Sequence, residues 1–351
     1  MWKILPTMAK INQQELARRL NLSQTTVSRS LANHPAINAE TKALVLETAA
    51  KMGYSQRIKR VQQAAPDQRP AVWGVLISMP GQEGGPSETF QQVLKGIADK
   101  SSLHDSILDV VYHDPVKLEA GQIIRRIRSA RWKGVIMIYP LARNIAHDIA
   151  HQVACVSIVE NYRHDLIDSI DVDQAEGIIS LVHRLHETGH RKIAFMTWTY
   201  TVPTPWVMQR FGSYVQALYQ CGLEFDPALA INVLPGQKAT PEQCARQVSA
   251  LVRKGVTAVV CPADHQAYNL MAELEAQGIQ VPGDVSITGF DGIKPPLQAR
   301  QLATVKVPYE ELGRSAVHQL LRRIEQPTAP RRHILVDGDI LTGETVSQPG
   351  S

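Results

Sequence analysis

The stretch NLSQTTVSRSLAN, from Asn21 to Asn33, is rich in side chains suited to hydrogen bonding and poor in side chains suited to burial. Only Val27 and Leu31, four apart, form an apolar edge, much narrower than the stripe by which a globular helix packs. Gln24, Thr25 and Arg29 are then free to exchange hydrogen bonds with base edges, while Ser23, Thr26 and Ser28 suit phosphate oxygens. A slim helix held along one edge is the shape a DNA major groove admits. Composition alone leaves a second reading open, a surface helix of weak propensity.

The neighbouring residues supply what such a helix needs to be held. Asn12 can cap a first helix with Glu15 at its third position, and Leu16 and Leu20 share one face with Arg18 and Arg19 outside. Asn21 tolerates the left-handed conformation of a tight turn, and Ser23 can cap the second helix, Gln24 to about Leu31. HPAI breaks it. Asn38 can cap a third helix, with Leu44, Val45, Thr48 and Met52 as its apolar positions and Gly53 at its end. Three short helices with a tight turn between the first two form a helix-turn-helix. Charge points the same way. Residues 1–63 hold ten Lys and Arg against three acids, and the remainder 27 against 30, so the chain's excess of +4 comes entirely from its front. A basic head on a mildly acidic body suits a polyanionic partner.

Other constellations carry less. His183, His186 and His190 invite a zinc reading, but a helix ending at Gly189 with basic residues near its carbonyl end explains them. The loop GQEGGP at 81–86 lacks the following Gly-Lys-Ser/Thr of a phosphate loop. Neither G-x-S-x-G nor H-E-x-x-H occurs, and no nucleophile stands with a base, so no enzyme, cofactor or metal is expected. The four cysteines, Cys155, Cys221, Cys244 and Cys261, have no paired spacing and suit a reducing compartment. No apolar run is long enough to span a membrane, and the amino terminus lacks a signal-peptide core, so the expected location is the cytoplasm.

After Pro70 the text alternates strand and helix. Candidate strands cover 72–78, 107–113, 133–140, 154–160, 169–173, 192–197, 257–264 and 284–290. Between them Phe90, Val93, Leu94 and Ile97, and again Ile178, Leu181, Val182 and Leu185, recur at helical spacing. Apolar strands alternating with amphipathic helices imply parallel sheets covered on both faces, with ligands at the strands' carboxyl ends.

LARRLNLSQTTVSRSLA followed by INAETKALVLETAAKMGY resembles the DNA-binding headpiece of the lactose/galactose repressor (LacI/GalR) family, with TVSR and the closing Gly53-Tyr54 as its specific parts. Asn21 stands where that pattern has a turn glycine. Ala32 stands where it has a backbone-contacting Asn, so that contact is either lost or passed to Asn33. DSIDVDQAEG, LHETGHRKIAFM, VPGDVSITGFDGI and LATVKVPYEELGRSAVHQLLRRIE extend the resemblance over the family's effector domain. The implied fold is an all-α helix-turn-helix headpiece (8–54), a hinge (55–70) and an α/β periplasmic-binding-protein-like effector domain (71–346) of two Rossmann-like subdomains. The first subdomain would cover about 71–172 and 308–329, the second about 174–305 and 333–346.

The resemblance also implies sites. Ser23, Gln24, Thr25, Thr26, Ser28, Arg29, Asn33 and Tyr54 would meet DNA. In that family the hinge enters the minor groove, but here Gln63 stands at the place of the wedging leucine, leaving Ile58 and Val61 as apolar candidates beside Arg57, Lys59 and Arg60, so a DNA-ordered hinge and a solvated tether are both open readings. Asp291 corresponds to the family's ligand-binding carboxylate, with Asp264, Glu160 and Ser78 as further candidates and Trp198 and Trp206 as aromatic walls. The family's ligand-gripping arginine lies at Gln209, with Arg210 one residue later, so either residue can serve. The implied protein is a cytoplasmic DNA-binding regulator, a repressor, controlled by a small-molecule effector of carbohydrate type. The chain leaves no room after its last strand for a tetramerising leucine-heptad tail, so a homodimer on double-stranded operator DNA is expected. The rival is a sugar-binding or sugar-converting protein with an incidental basic module; operator retardation against turnover assays separates the two.

Overall fold

The computed structural model describes residues 12–54, 70–78, 88–114, 117–163, 165–200, 204–234 and 236–350. The first residues of the expected headpiece, the hinge with Arg57 to Gln63, and the loop 81–86 lie outside the described residues.

The front of the chain forms α1 (Gln13–Leu20), α2 (Gln24–Leu31) and α3 (Ala39–Lys51). Each begins at the residue whose side chain can take an orphan amide. Asn12 Oδ1 accepts from the Glu15 N–H at 2.9 Å, Ser23 Oγ from Thr26 at 3.0 Å and Asn38 Oδ1 from Thr41 at 2.7 Å. Asn21 closes α1 at φ 51°, the left-handed turn expected of it. Glu15 does not return to its cap; it pairs with Arg18 at 2.6 Å. Leu44 is a correction. It is exposed, and α3 buries Ala43, Val45, Leu46 and Ala49 instead, because these lie on the arc facing its neighbours.

The chain groups into two compact units, Met1–Ile170 with Tyr309–His333, and Asp171–Pro308 with Ile334–Ser351. The described helices of the front therefore belong to the first unit rather than standing apart. That unit contains β1 (Ala71–Ser78), α4 (Glu88–Ser101), β2 (Ser106–His113), α5 (Ala120–Ala130), β3 (Trp132–Ile138), α6 (Arg143–Ala150), β4 (Ala154–Ile158) and most of β5 (Ile167–Val172). The strand order is β11-β5-β4-β3-β1-β2, where β11 is His333–Val336, with β1 to β5 paired in parallel. β2 is thus an edge. α4 lies against α11 (Tyr309–Glu325) at very close range: a Cβ on Gly96 would come within 1.9 Å of the Glu310 carbonyl oxygen.

The second unit contains α7 (Gln174–Glu187), β6 (Ile193–Met196), α8 (Pro205–Gln220), β7 (Ala230–Ile231), α9 (Pro241–Val252), β8 (Ala258–Val260), α10 (Asp264–Glu275), β9 (Ser286–Asp291) and β10 (Ala303–Lys306). After α11 come β11 (His333–Val336), whose first residue belongs to the first unit, and β12 (Asp339–Leu341). The sheet order is β12-β10-β9-β8-β6-β7, parallel apart from β12. Ile178, Leu181, Val182 and Leu185 of α7 are fully buried, each worth about 1.5–3 kcal/mol on transfer from water. The strand expected at 257–264 is shorter, because the chain leaves the sheet before Pro262 and turns into α10 at Asp264.

Candidate functional site

On α2 the burial follows the helical period. Val27 is fully buried and Leu31 nearly so, while Gln24, Thr25, Ser28 and Arg29 are exposed together. Ser23 and Thr26 join hydroxyls at 2.8 Å at the start of this face, and Ser30 turns inward to bond the Thr26 carbonyl at 2.8 Å. Tyr54, half-buried, donates its N–H to the Ala49 carbonyl and fastens the end of α3. Asn33 departs from expectation. It is buried, at φ 53°, and its amide donates to Ser101 Oγ at 3.0 Å and to the Ser106 carbonyl at 3.2 Å. In this state Asn33 is turned away from the exposed face of α2.

In the second unit a polar cluster forms where the strands end. Arg210, on the buried face of α8, donates Nε–H to Gln174 Oε1 at 2.5 Å and an Nη1–H to the Pro262 carbonyl. Nη1 also stands 3.7 Å from Asp291 Oδ1. The guanidinium carbon lies 3.6 Å from the centroid of the Phe290 ring and 4.7 Å from that of Trp206, a cation held between aromatic faces. Gln174 in turn donates to Asp171 at 3.0 and 3.2 Å. Gln209 is exposed, so of the two candidates the structure brings Arg210 into this cluster and leaves Gln209 outside.

Asp291 ends β9 at φ 128°, a conformation an L-residue adopts only when its surroundings impose it. Asp264 imposes it. Its carboxylate is fully buried and accepts from the Gly292 N–H at 2.7 Å, the Ile293 N–H at 2.9 Å and Thr304 Oγ at 2.6 Å. A Cβ on Gly289 would lie 2.1 Å from Asp264 Oδ1, so only glycine fits there. Burial, and next the charge of Asp291, push the Asp264 carboxyl up, against the three donors that favour its ionised form. Asp264, expected as an effector contact, is here occupied in holding the turn beside Asp291.

Beside the cluster, Tyr200 packs edge-on to Trp206 at 5.5 Å, and Trp198 to His265 at 5.3 Å. The Tyr200 hydroxyl joins His265 at 3.2 Å and takes a donor from Gln266. Sequence reasoning missed Gln174, Phe290, Tyr200, His265 and Gln266. Gln174 had a signal, since it stands directly after DVD at the opening of a helix.

In the first unit, Ser78 and His113 end neighbouring strands in register and meet at 3.1 Å. Burial holds the imidazole down at about 4, so it is neutral. Burial also raises the Glu160 carboxyl, partly offset by Arg143. The histidines of the second unit have separate partners: His183 meets Gln220, and His190 meets Thr257 and the Ser347 carbonyl. Among the described residues no group of three His, Cys, Asp or Glu gathers as for a metal, and no helix is long and apolar enough to cross a membrane.

Residues 182–346 match the periplasmic binding protein-like domain. The chain is 27% identical to the HTH-type transcriptional regulator AscG of Escherichia coli K12, over 88% of this chain and 90% of that one. It resembles the structure of a transcriptional regulator CelR–cellobiose complex at TM-score 0.68 and 19% identity, covering 96% of this chain and all of the other. It also resembles a lac repressor dimer bound to operator at TM-score 0.63 and 18% identity, covering 95% and 98%. These two likenesses bear on the fold. The three short front helices and the two parallel sheets agree with these likenesses, so the chain is similar to regulators of the LacI/GalR family in both sequence and fold.

Proposed function

We propose that this protein is a cytoplasmic, sequence-specific DNA-binding transcriptional regulator, a repressor, whose grip on its operator is set by a carbohydrate effector. The observation that carries this reading is the exposure of Gln24, Thr25, Ser28 and Arg29 on one side of a helix anchored by Val27 and Leu31. A homodimer would set two such helices on a near-palindromic site, with half-sites about one turn apart.

The Arg210–Asp291 cluster, with Trp206 beside it, is the effector contact in this reading. A carboxylate accepts from sugar hydroxyls, a guanidinium donates to them, and an aromatic ring covers an apolar sugar face. The relatives' names point to regulation: AscG is named as a transcriptional regulator, and the CelR structure holds cellobiose.

The test selects operator fragments from genomic DNA and follows their binding by fluorescence anisotropy. Arg29→Ala is expected to weaken binding by about 1–3 kcal/mol, or roughly 5–150-fold, and to relax preference at one base pair. Unchanged affinity and unchanged selectivity in Arg29→Ala and Gln24→Ala together would remove α2 as the reading helix.

A further inference from the structure

α3 is buried on too much of its circumference for a headpiece helix with a single set of neighbours. Lys42, Ala43, Val45, Leu46, Glu47 and Ala49 are all buried. At about 100° per residue these positions span roughly 200°, twice the width of an ordinary apolar stripe. One part of that arc meets α1 and α2. The other meets α4 and the edge strand β2 of the effector domain's first unit.

The second contact is polar and specific. Lys42 and Glu47, only 1% and 3% exposed, are charged residues turned inward on a helix that could have shown them to water. Lys42 lies in the field of Asp99 on α4. Glu47 faces Tyr112 on β2 and pairs with Lys51 at 2.8 Å, and the Lys51 ammonium stands 5.9 Å from the centre of the Tyr112 ring. The amide of Asn33 reaches Ser101 at the end of α4 and the Ser106 carbonyl at the start of β2. That receptor is itself braced: Ser101 Oγ donates to the Ala98 carbonyl at 3.2 Å, and Ser106 Oγ to the Ser101 carbonyl at 2.9 Å.

We propose that this contact is an autoinhibitory latch, in which the α4–β2 face of the effector domain stows the headpiece and operator DNA competes with that face for it. The latch rests on the DNA-binding reading given above. Gln24 and Arg29 remain accessible in the stowed state, so DNA can begin to engage. Asn33 reaches DNA only by leaving Ser101 and Ser106. If the stowed form outnumbers the free form by a factor K, operator affinity is reduced by 1 + K, because only the free fraction is fully competent. Any influence of the effector on α4 or β2 would then reach the headpiece without touching α2.

The experiment uses the full chain. An Asn33→Cys/Ser101→Cys double variant is expected to cross-link rapidly under mild oxidation without DNA, and more slowly with saturating operator. The oxidised form should lose operator binding, and reduction should restore the level of the reduced variant. In a second variant, Tyr112→Glu, a carboxylate opposes Glu47 and opens the latch; operator affinity should rise about tenfold, within the usual span of site-to-site coupling. Circular dichroism confirms that the fold of Tyr112→Glu is intact. Slow cross-linking that ignores DNA, a cross-linked form that binds operator as well as its reduced form, or unchanged affinity in a folded Tyr112→Glu would each overturn the latch. Cross-linking without DNA judges stowing on its own, whereas failure of the wild-type chain to bind any operator would count against the regulator reading.

Discussion

Asp168→Ala is expected to destabilise the first unit by about 3–5 kcal/mol, the usual cost of leaving a buried charge without its partner. Asp168 is fully buried on β5 and receives four donors. Gln319 Nε2 donates at 2.8 Å, Arg323 through Nε and Nη2 at 2.9 and 2.7 Å, and the Arg332 N–H at 2.6 Å. Arg323 is itself only 2% exposed. Without the carboxylate its guanidinium keeps the Pro327 and Ala329 carbonyls as acceptors but has no counter-charge. The site joins α11 to the segment that enters β11, so its loss should loosen both. Urea unfolding followed by fluorescence of the first unit's Trp73 and Trp132 reads the effect as a lower midpoint. Replacing Asp168 and Arg323 together by Leu and Met should cost less than Asp168→Ala alone, because the fully buried guanidinium leaves with its partner and only the partly exposed Arg322, 3.8 Å from the carboxylate, loses a counter-charge. A single-variant shift below about 1 kcal/mol would mean that the pair adds little.

The same carboxylate gives an acid dependence with a definite sign. Burial works against its ionisation, but the bonds from Arg323, Gln319 and the Arg332 N–H outweigh burial and hold it below the ordinary aspartate range. A group lowered in the folded state contributes its full stability above the unfolded value, near 3.9, and loses it as pH falls from there through the folded value. Wild type should therefore lose midpoint below about pH 4 more steeply than Asp168→Asn. Parallel profiles for the two proteins would show that Asp168 does not titrate with unfolding.

How far the sequence could be read divides along physical lines. Helix starts at Asn12, Ser23 and Asn38, and the left-handed turn at Asn21, are local chemistry, and the structure has them where the residues predict. The buried stripe of α7 and the parallel strands were legible for the same reason, since period and run length belong to the segment itself. The choice between Gln209 and Arg210 was legible in principle: Val207, Arg210, Tyr214 and Ala217 recur at helical spacing and are all buried, which puts Gln209 outside. The occupation of Asp264 was not legible, because its donors come from Gly292, Ile293 and Thr304, far along the chain. Neither was the inward turn of Asn33. A side chain suited to phosphate is equally suited to a serine hydroxyl, and only the packing of α3 on α4 decides which it meets.

Asp291→Asn is expected to leave operator binding without effector unchanged while raising the effector concentration needed for a response by about tenfold or more. The substitution keeps the size of the side chain and the strained turn that Asp264 maintains. It removes the charge beside Arg210, and hydrogen bonds to a charged group contribute about 1.5–3 kcal/mol. Arg210→Lys should match or exceed that loss. Lysine cannot span Gln174, the Pro262 carbonyl and the Phe290 ring as a planar guanidinium does. Because coupling between sites is reciprocal, operator DNA must shift effector affinity in the wild-type chain by the same factor by which effector shifts operator affinity. For an inducer the Asn variant stays on its operator at effector concentrations that release wild type; for a corepressor it stays off. Calorimetric titration of a panel of mono- and disaccharides into wild type and Asp291→Asn decides the assignment. A saccharide that binds both with equal affinity would place the effector contacts away from Asp291, and with them the role of Arg210.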